Sequence, residues 1–527
     1  MASKGYLALV LHAHLPYVRH PEHPQFLEED WLFEAITETY IPLLVLLEGL
    51  ERDAVPACFS LTLTPTLCHM LKDPLLTSRY SAHLERLLAL ARAESERHRN
   101  VAPLCTLADF YVARLEDAHH AWHVRWKQDI VGAFDTFAKA GFLEIITCAA
   151  THGFLPLMEV CPEAMRAQVL IGRDHYKETF GRDPAGIWLP ECAYVPGLDA
   201  ILREANLRWF VIDAHGMMFG SPRPRYAIYA PCFIPSGPAV FGRDRDSSRQ
   251  VWSAEEGYPG DPAYRDFYRD IGFDRPLEQL EAFFGDQNRR FTGLKYHRVT
   301  GPRADKDYYR RDWALGAADH HAAHFLKARA AQMAELRAHM NVPPVVVSPF
   351  DAELFGHWWF EGPEWLNSFL RKAVYDQAEF ELTTPTRYLQ RQETHQLLAP
   401  AASSWGHKGY WEVWLEESNS WIYPHLHAAA RRMTELARRH LSTDSAQTHR
   451  ALSQAARELL LAQSSDWAFL MKTGSAKSYA TRRTEDHLHR FTRLYEQLSG
   501  PGIDEAFLAH CEERDNIFPN LNWRYYA

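Results

Sequence analysis

The 527-residue chain has eight cysteines, at 58, 68, 105, 148, 161, 192, 232 and 511, and none forms a Cys-x-x-Cys pair. In a chain this long they read as buried thiols in a reducing compartment, not as a disulfide framework. No apolar run reaches the roughly 18 residues of a membrane-spanning helix. The N-terminal MASKGYLALVLHAHLP is interrupted by two histidines and is followed by no small-residue cleavage site. The expectation is therefore no secretory leader and a cytoplasmic location. Long Lys/Arg runs are missing and the formal net charge is −10, so neither nucleic acid nor a membrane surface is an expected partner. The phosphate-cradling G-x-x-x-x-G-K-[ST], the dinucleotide fingerprint and the esterase G-x-S-x-G are absent as well. So are internal repeats and low-complexity tracts.

What the chain has in quantity is aromatic residues, 13% of the total with 16 Trp. Flat amphipathic rings fill large cores, and they also line sugar-binding clefts. Near-continuous apolar runs recur through the first 350 residues, at 6–16, 57–67, 143–154, 186–194, 208–216, 291–301 and 343–356. Such runs suit strands buried on both faces of a parallel sheet. Amphipathic helical patterns lie between many of them, as at 34–52 and 164–181, which predicts an α/β fold. From about residue 400 the chain turns to Ala/Leu/Arg-rich helices at 425–441, 447–471 and 481–500.

Polar residues gather where the strands end: His12 and His14, His152, Glu191, Asp213 with His215, and Asp351. In a β/α barrel the working face is the C-terminal rim, where each strand contributes one or two residues. Glu191 in WLPE and Asp351 in SPFD have apolar and aromatic neighbours, which raise a carboxyl's pKa as a general acid requires. Two such groups about 5–5.5 Å apart would run glycosyl transfer with retention. HAH at 12–14 sets two imidazoles on one face of a strand. That arrangement suits a metal site completed by His152 or Asp213, and it equally suits hydrogen bonding to sugar hydroxyls. The block WGHKGYWEVWLEESNSWIYPH at 405–425 reads as part domain interface and part stacking wall, with Trp405 and Trp414 as the rings facing ligand. The irregular segment 226–260 reads as a lid.

HAHLPYV, THGFLPL, WLPECAY and SPFDAELFGHWWFEG resemble, in order, the motifs of glycoside hydrolase family 57. GRDRDSSRQVWSAEEGYPGDPAYRDFYRDIGFD and SSWGHKGYWEVWL narrow the likeness to the α-1,4-glucan branching members. The resemblance implies a (β/α)7 barrel (1–90 and 140–400), an inserted helical subdomain (91–139) and an α-helical C-terminal domain (401–527) that lends aromatics to the cleft. It implies a retaining mechanism with no metal or organic cofactor, acting on α-1,4-glucans such as amylose and glycogen, in a monomer or weak oligomer. By motif, Glu191 is the nucleophile and Asp351 the acid/base. His12, His14, Trp31, His152, Arg269, Phe273, Trp405, Trp414 and Asp466 bind substrate. Branching members carry a mobile loop with a tyrosine near its tip. The matching tip is expected at 232–244, which has no Tyr and would favour hydrolysis over transfer. Rival readings are an α-amylase or 4-α-glucanotransferase of the same family, a metal-dependent hydrolase built on the His pair, and a non-catalytic glucan-binding protein.

Overall fold

The computed structural model describes residues 4–253, 256–303, 305–392, 394–500 and 502–527. Two positions of the expected lid, 254 and 255, lie outside the described residues. Seven parallel strands form the centre: β1 (Gly5–Ala13), β2 (Phe59–Leu63), β3 (Leu143–Cys148), β4 (Gly186–Trp188), β5 (Trp209–Ile212), β7 (Ala239–Gly242) and β8 (Val345–Asp351). Their order is β7-β5-β4-β3-β2-β1-β8. The ring closes where Arg243, just past β7, bridges Val347 of β8, with Asp244 N–H donating to the Val347 carbonyl at 2.8 Å. The expected (β/α)7 barrel is thus present. Two short strands complete the sheet. β6 (Cys232–Phe233) runs antiparallel to β7, and β9 (Phe380–Leu382) lies beside the start of β1.

Alternation along the strands divides the core in two. Ala8, Val10, Ile146, Cys148, Trp188, Trp209, Val211, Ala239, Phe241, Val345 and Val347 fill the barrel interior. Leu7, Leu9, Leu11, Leu61 and Val346 point outward and pack under the helices. The inward column of β1 continues from Val10 to His12, and that of β8 reaches Asp351, its register partner. Hydrophobic filling therefore gives way to polar groups at the C-terminal rim.

Two strand expectations need correction. The segment 291–301 forms no strand of the sheet; Leu294 and Tyr296 alternate into the core that holds the helical hairpin Pro74–Arg97/Ala102–His120. The seventh barrel strand is instead 239–242, inside the stretch expected to be a lid tip. Its four residues are fully buried, and the turn before it, Ile234–Pro238, sits at the N-terminal end of β7, away from the rim. The missing tyrosine in 232–244 therefore has no bearing on a lid.

Position 91, the expected start of an inserted subdomain, falls inside the helix Pro74–Arg97. The hairpin packs on the 256–310 segment, through Tyr111 Oη donating to the Lys295 carbonyl at 2.7 Å and Arg275 pairing with Glu94 at 2.5 Å. Arg265 pairs with Glu38 at 3.0 Å and ties that segment to the helices after β1. The C-terminal helices are Ile422–Arg439, Ala446–Ala462, Ser465–Thr473, Lys477–Ser499 and Glu505–Arg514. No helix of the described residues is long and apolar enough to cross a membrane.

The helix Pro162–Phe180 seats against the end of β3 at Gly172, where an added Cβ would stand 2.3 Å from the Cys148 carbonyl oxygen. A backbone atom cannot step aside as a flexible side chain would. Gly172→Ala is expected to cost about 1–3 kcal/mol by overpacking, read as a lower calorimetric Tm; an unchanged Tm would refute the close approach.

Candidate active site

Glu191 lies in a tight turn just beyond β4. Both it and Cys192 hold left-handed backbone, at φ 59° and 52°. Such strain persists only where neighbours over-determine the conformation. Here the segment 403–405 does so: Ser403 and Tyr194 exchange backbone hydrogen bonds, and Trp405 N–H donates to the Glu191 carbonyl at 3.1 Å. The Trp405 indole N–H donates to Glu191 Oε2 at 2.9 Å, and Ser465 Oγ donates to Oε1 at 3.3 Å. Burial raises the Glu191 carboxyl to about 7, with the indole N–H opposing and the Asp351 charge adding.

Asp351 closes the inward face of β8. Burial, and after it the Glu353 charge, push its carboxyl to about 8 against the pull of Arg243. Glu353 is itself raised by burial to about 7, although Tyr40 Oη donates to it at 2.6 Å and the His14 N–H at 3.2 Å. Arg243 reaches Asp213 at 3.2 Å and lies over the Trp405 ring at 5.3 Å. Burial would raise Asp213, but His215, Arg243 and Arg245 hold it at about 2.

The three histidines form one stack: His14 and His152 rings lie 3.9 Å apart, and His12 packs on Trp188 at 5.2 Å. His12 Nε2 and His152 Nε2 are 3.0 Å apart, His152 Nδ1 meets Ser465 Oγ at 2.8 Å, and His14 Nε2 meets Asp466 at 3.0 Å. Burial first, then the neighbouring imidazoles, keep His12 and His152 well below the usual histidine range, hence neutral near pH 7. Burial alone would raise Asp466, yet His14 holds it down to about 2. His14, His152 and Asp466 offer ligand atoms within 4.8 Å of one another, a spacing a small cation could use. As placed, those groups share hydrogen bonds among themselves and with His12 and Ser465.

The structure thus brings together Glu191, Asp351, His12, His14, His152, Trp405 and Asp466. Trp31 and Trp405 stay partly exposed on one aromatic cluster around Trp467. Trp414 does not face ligand. It is 1% exposed and stacks on Phe154 at 4.4 Å, while Trp405, Trp411 and Trp421 of the same block stay partly exposed. Arg269 and Phe273 lie on the 256–310 segment. Arg269 pairs with Asp274 at 2.8 Å, and Phe273, 47% exposed, meets Phe291 at 5.0 Å. Their polar and ring contacts are with that segment, not with the carboxylates. Sequence reading missed Arg243, Glu353, Ser465 and Trp188. Glu353 lies two residues beyond Asp351 in the same motif, and Arg243 is the first charge after an apolar run, so both had a signal. Ser465 had none, because residues 447–471 read as one helix. The chain breaks that helix at Gln463–Ser464, where Ser465 N–H donates to the His152 carbonyl at 3.0 Å.

Residues 8–401 match the profile of glycosyl hydrolase family 57. The chain belongs to glycosyl hydrolase family 57. Residues 425–526 match a second profile, described as the C-terminal domain of 1,4-alpha-glucan branching enzymes. A 1,4-alpha-glucan branching enzyme of Thermococcus kodakarensis is 34% identical over 98% of this chain and 77% of its own length. Among solved structures, the novel alpha-amylase AmyC from Thermotoga maritima is 42% identical with a TM-score of 0.93, covering 100% of this chain and 99% of its own. A branching enzyme of this family from Pyrococcus horikoshii is 34% identical with a TM-score of 0.89, covering 99% of this chain and 97% of its own.

With Asp351 raised to about 8 and Glu191 to about 7, the difference infrared spectrum between pH 6 and pH 9 should contain a carboxyl C=O component from each. Asp351→Asn should remove a component that titrates near pH 8 and Glu191→Gln one near pH 7, against the background of the other buried carboxyls; a pH 6 to 9 difference spectrum unchanged by Asp351→Asn would show that Asp351 is not raised.

Proposed function

We propose that the chain is a retaining 1,4-α-glucan branching enzyme that cleaves α-1,4 links and forms α-1,6 branches in glycogen- or amylose-type glucan. The observation that carries this reading is the helix break at 463–464. The region matched by the branching-enzyme C-terminal profile sets Ser465 against Glu191 and Asp466 against His14.

Glu191 is the nucleophile and Asp351 the acid/base in this proposal. Both carboxyls are raised, to about 7 and about 8, and in this reading the pair works with Glu191 ionised and Asp351 protonated. The Glu191 carboxylate attacks the anomeric carbon, the glycosidic C–O bond breaks, and Asp351 gives its proton to the leaving oxygen. A glucan 6-hydroxyl then attacks the glucosyl ester, loses its proton to Asp351, and releases Glu191. Neutral His12 and His152 and the ionised Asp466 present hydrogen-bonding groups suited to sugar hydroxyls, and Trp31, Trp405 and Trp411 present stacking faces. The eight free cysteines support a reducing, cytoplasmic setting, and the proposed branching chemistry would place the chain in glycogen synthesis. A second reading, α-amylase, rests on the full-length likeness to AmyC.

Incubation with amylose should separate the two. New α-1,6 proton NMR signals with few reducing ends are the expected result; reducing ends without α-1,6 signal would make the protein an amylase. Glu191→Gln should lower kcat on the order of 10³-fold or more under either reading.

Activity needs Glu191 ionised and Asp351 protonated, so kcat/KM should be bell-shaped with limbs near pH 7 and 8. Trp405→Phe removes a donor that favours the Glu191 carboxylate, so the acid limb should move to higher pH. At a pH well below that limb, the rate should fall about tenfold for every pH unit by which the limb moves up. A limb that stays put would show that the indole N–H does not control Glu191.

A further inference from the structure

On the helical hairpin after β2, Glu85 stands on Pro74–Arg97, and His119 and His123 follow one another at the end of the partner helix. One carboxylate oxygen and one nitrogen from each imidazole lie within 4.8 Å of one another. The two rings are 4.4 Å apart between centroids. A π turn over Ala121–Arg125 creates this pairing, closed by Trp126 N–H donating to the Ala121 carbonyl at 3.0 Å. The wider i→i+5 turn brings side chains four apart more nearly above one another than an α turn does. Trp122 fixes its rotation. That ring is fully buried against Tyr80, and its indole N–H donates to Ser81 at 2.9 Å. Ser81 and Glu85 are one turn apart on the same helix, so the anchor aims both imidazoles at Glu85.

His123 Nε2 is buried with no hydrogen-bond partner, while Nδ1 lies 3.3 Å from the Gln128 side-chain amide. Turned with its oxygen inward, that amide would accept the Nδ1 proton and leave the Nε2 lone pair free, the usual outer partner of a metal-binding imidazole. Burial first, and then His119, hold His123 below the usual histidine range and so neutral at pH 7. None of these groups belongs to the barrel rim.

We propose that Glu85, His119 and His123 form a binding site for a divalent transition metal of the zinc class, bridging the two helices of the hairpin. Two imidazoles and a carboxylate suit Zn²⁺, which takes such ligands at about 2.0–2.2 Å and fills its fourth position with water. Exposed Glu85 can swing in to shorten the spacing. The ion would act as a cross-link at the open end of the hairpin, and acid would weaken its binding because protons compete with the metal for the ligand nitrogens.

The test is titration of the full, chelator-stripped chain with ZnCl₂ by calorimetry at pH 7.5, with Tm measured in parallel. One saturable equivalent and a raised Tm are expected. Glu85→Gln, His119→Gln and His123→Gln should each weaken binding at least tenfold without lowering the metal-free Tm, and Gln128→Ala should weaken it about tenfold. Glu85 is exposed, so its variant tests the site even where a histidine variant folds poorly. Absence of saturable binding, or undiminished binding in the Glu85 and His119 variants, would overturn the proposal and, in the second case, assign the zinc to other histidines. Anomalous diffraction at the zinc edge should locate the ion between the two helices.

Discussion

Everything at the barrel rim depends on keeping three carboxyls out of water. Glu191, Asp351 and Glu353 all sit where burial is the largest influence on their protonation. A bare buried carboxylate is costly, so each needs donors or a proton. Trp405 and Ser465 donate to Glu191, Tyr40 and the His14 amide donate to Glu353, and Asp351 keeps its proton. With these supports Glu191 and Glu353 stand at about 7, and Asp351, which has Arg243 alone to favour its charge, at about 8. Asp213 and Asp466, equally withdrawn from solvent, go the other way because cationic or donor partners surround them. One rim thus holds acids of opposite character, set by neighbours rather than by residue type.

The barrel was legible in the sequence because its strands are apolar on both faces and end in acids and histidines. Six of the seven parallel strands fall in the expected segments. The seventh, Ala239–Gly242, is only four residues long and flanked by Gly and Pro, so its environment read as loop. The stretch 291–301 shows the converse error: alternation marks a buried face, and the face it buries here packs on a helical hairpin instead of a sheet. Trp414 fails for a related reason. A cluster of tryptophans fixes neither the order in which they turn inward nor which keeps a free face.

Contacts between distant parts of the chain were the least legible. Asp466 entered only through the family likeness, and Ser465 through nothing at all. A helical pattern carries no mark for a break whose cause is a hydrogen bond to His152, some three hundred residues earlier. Arg243 is similar: its charge was visible, but its position between Asp213 and Trp405 depends on closure of the ring at Val347.

The rim draws on residues from His12 to Asp466, which bears on how the chain is made. A ribosome delivers the barrel strands first, and β8 ends at Asp351. Glu191 lacks its indole donor until Trp405 has emerged and its serine until Ser465 has, the second more than a hundred residues beyond Asp351. Its strained turn also lacks the 403–405 segment that holds it. A nascent barrel would therefore carry both carboxyls without the arrangement that sets them apart. The order of synthesis delays assembly of the rim until the polymer is almost complete.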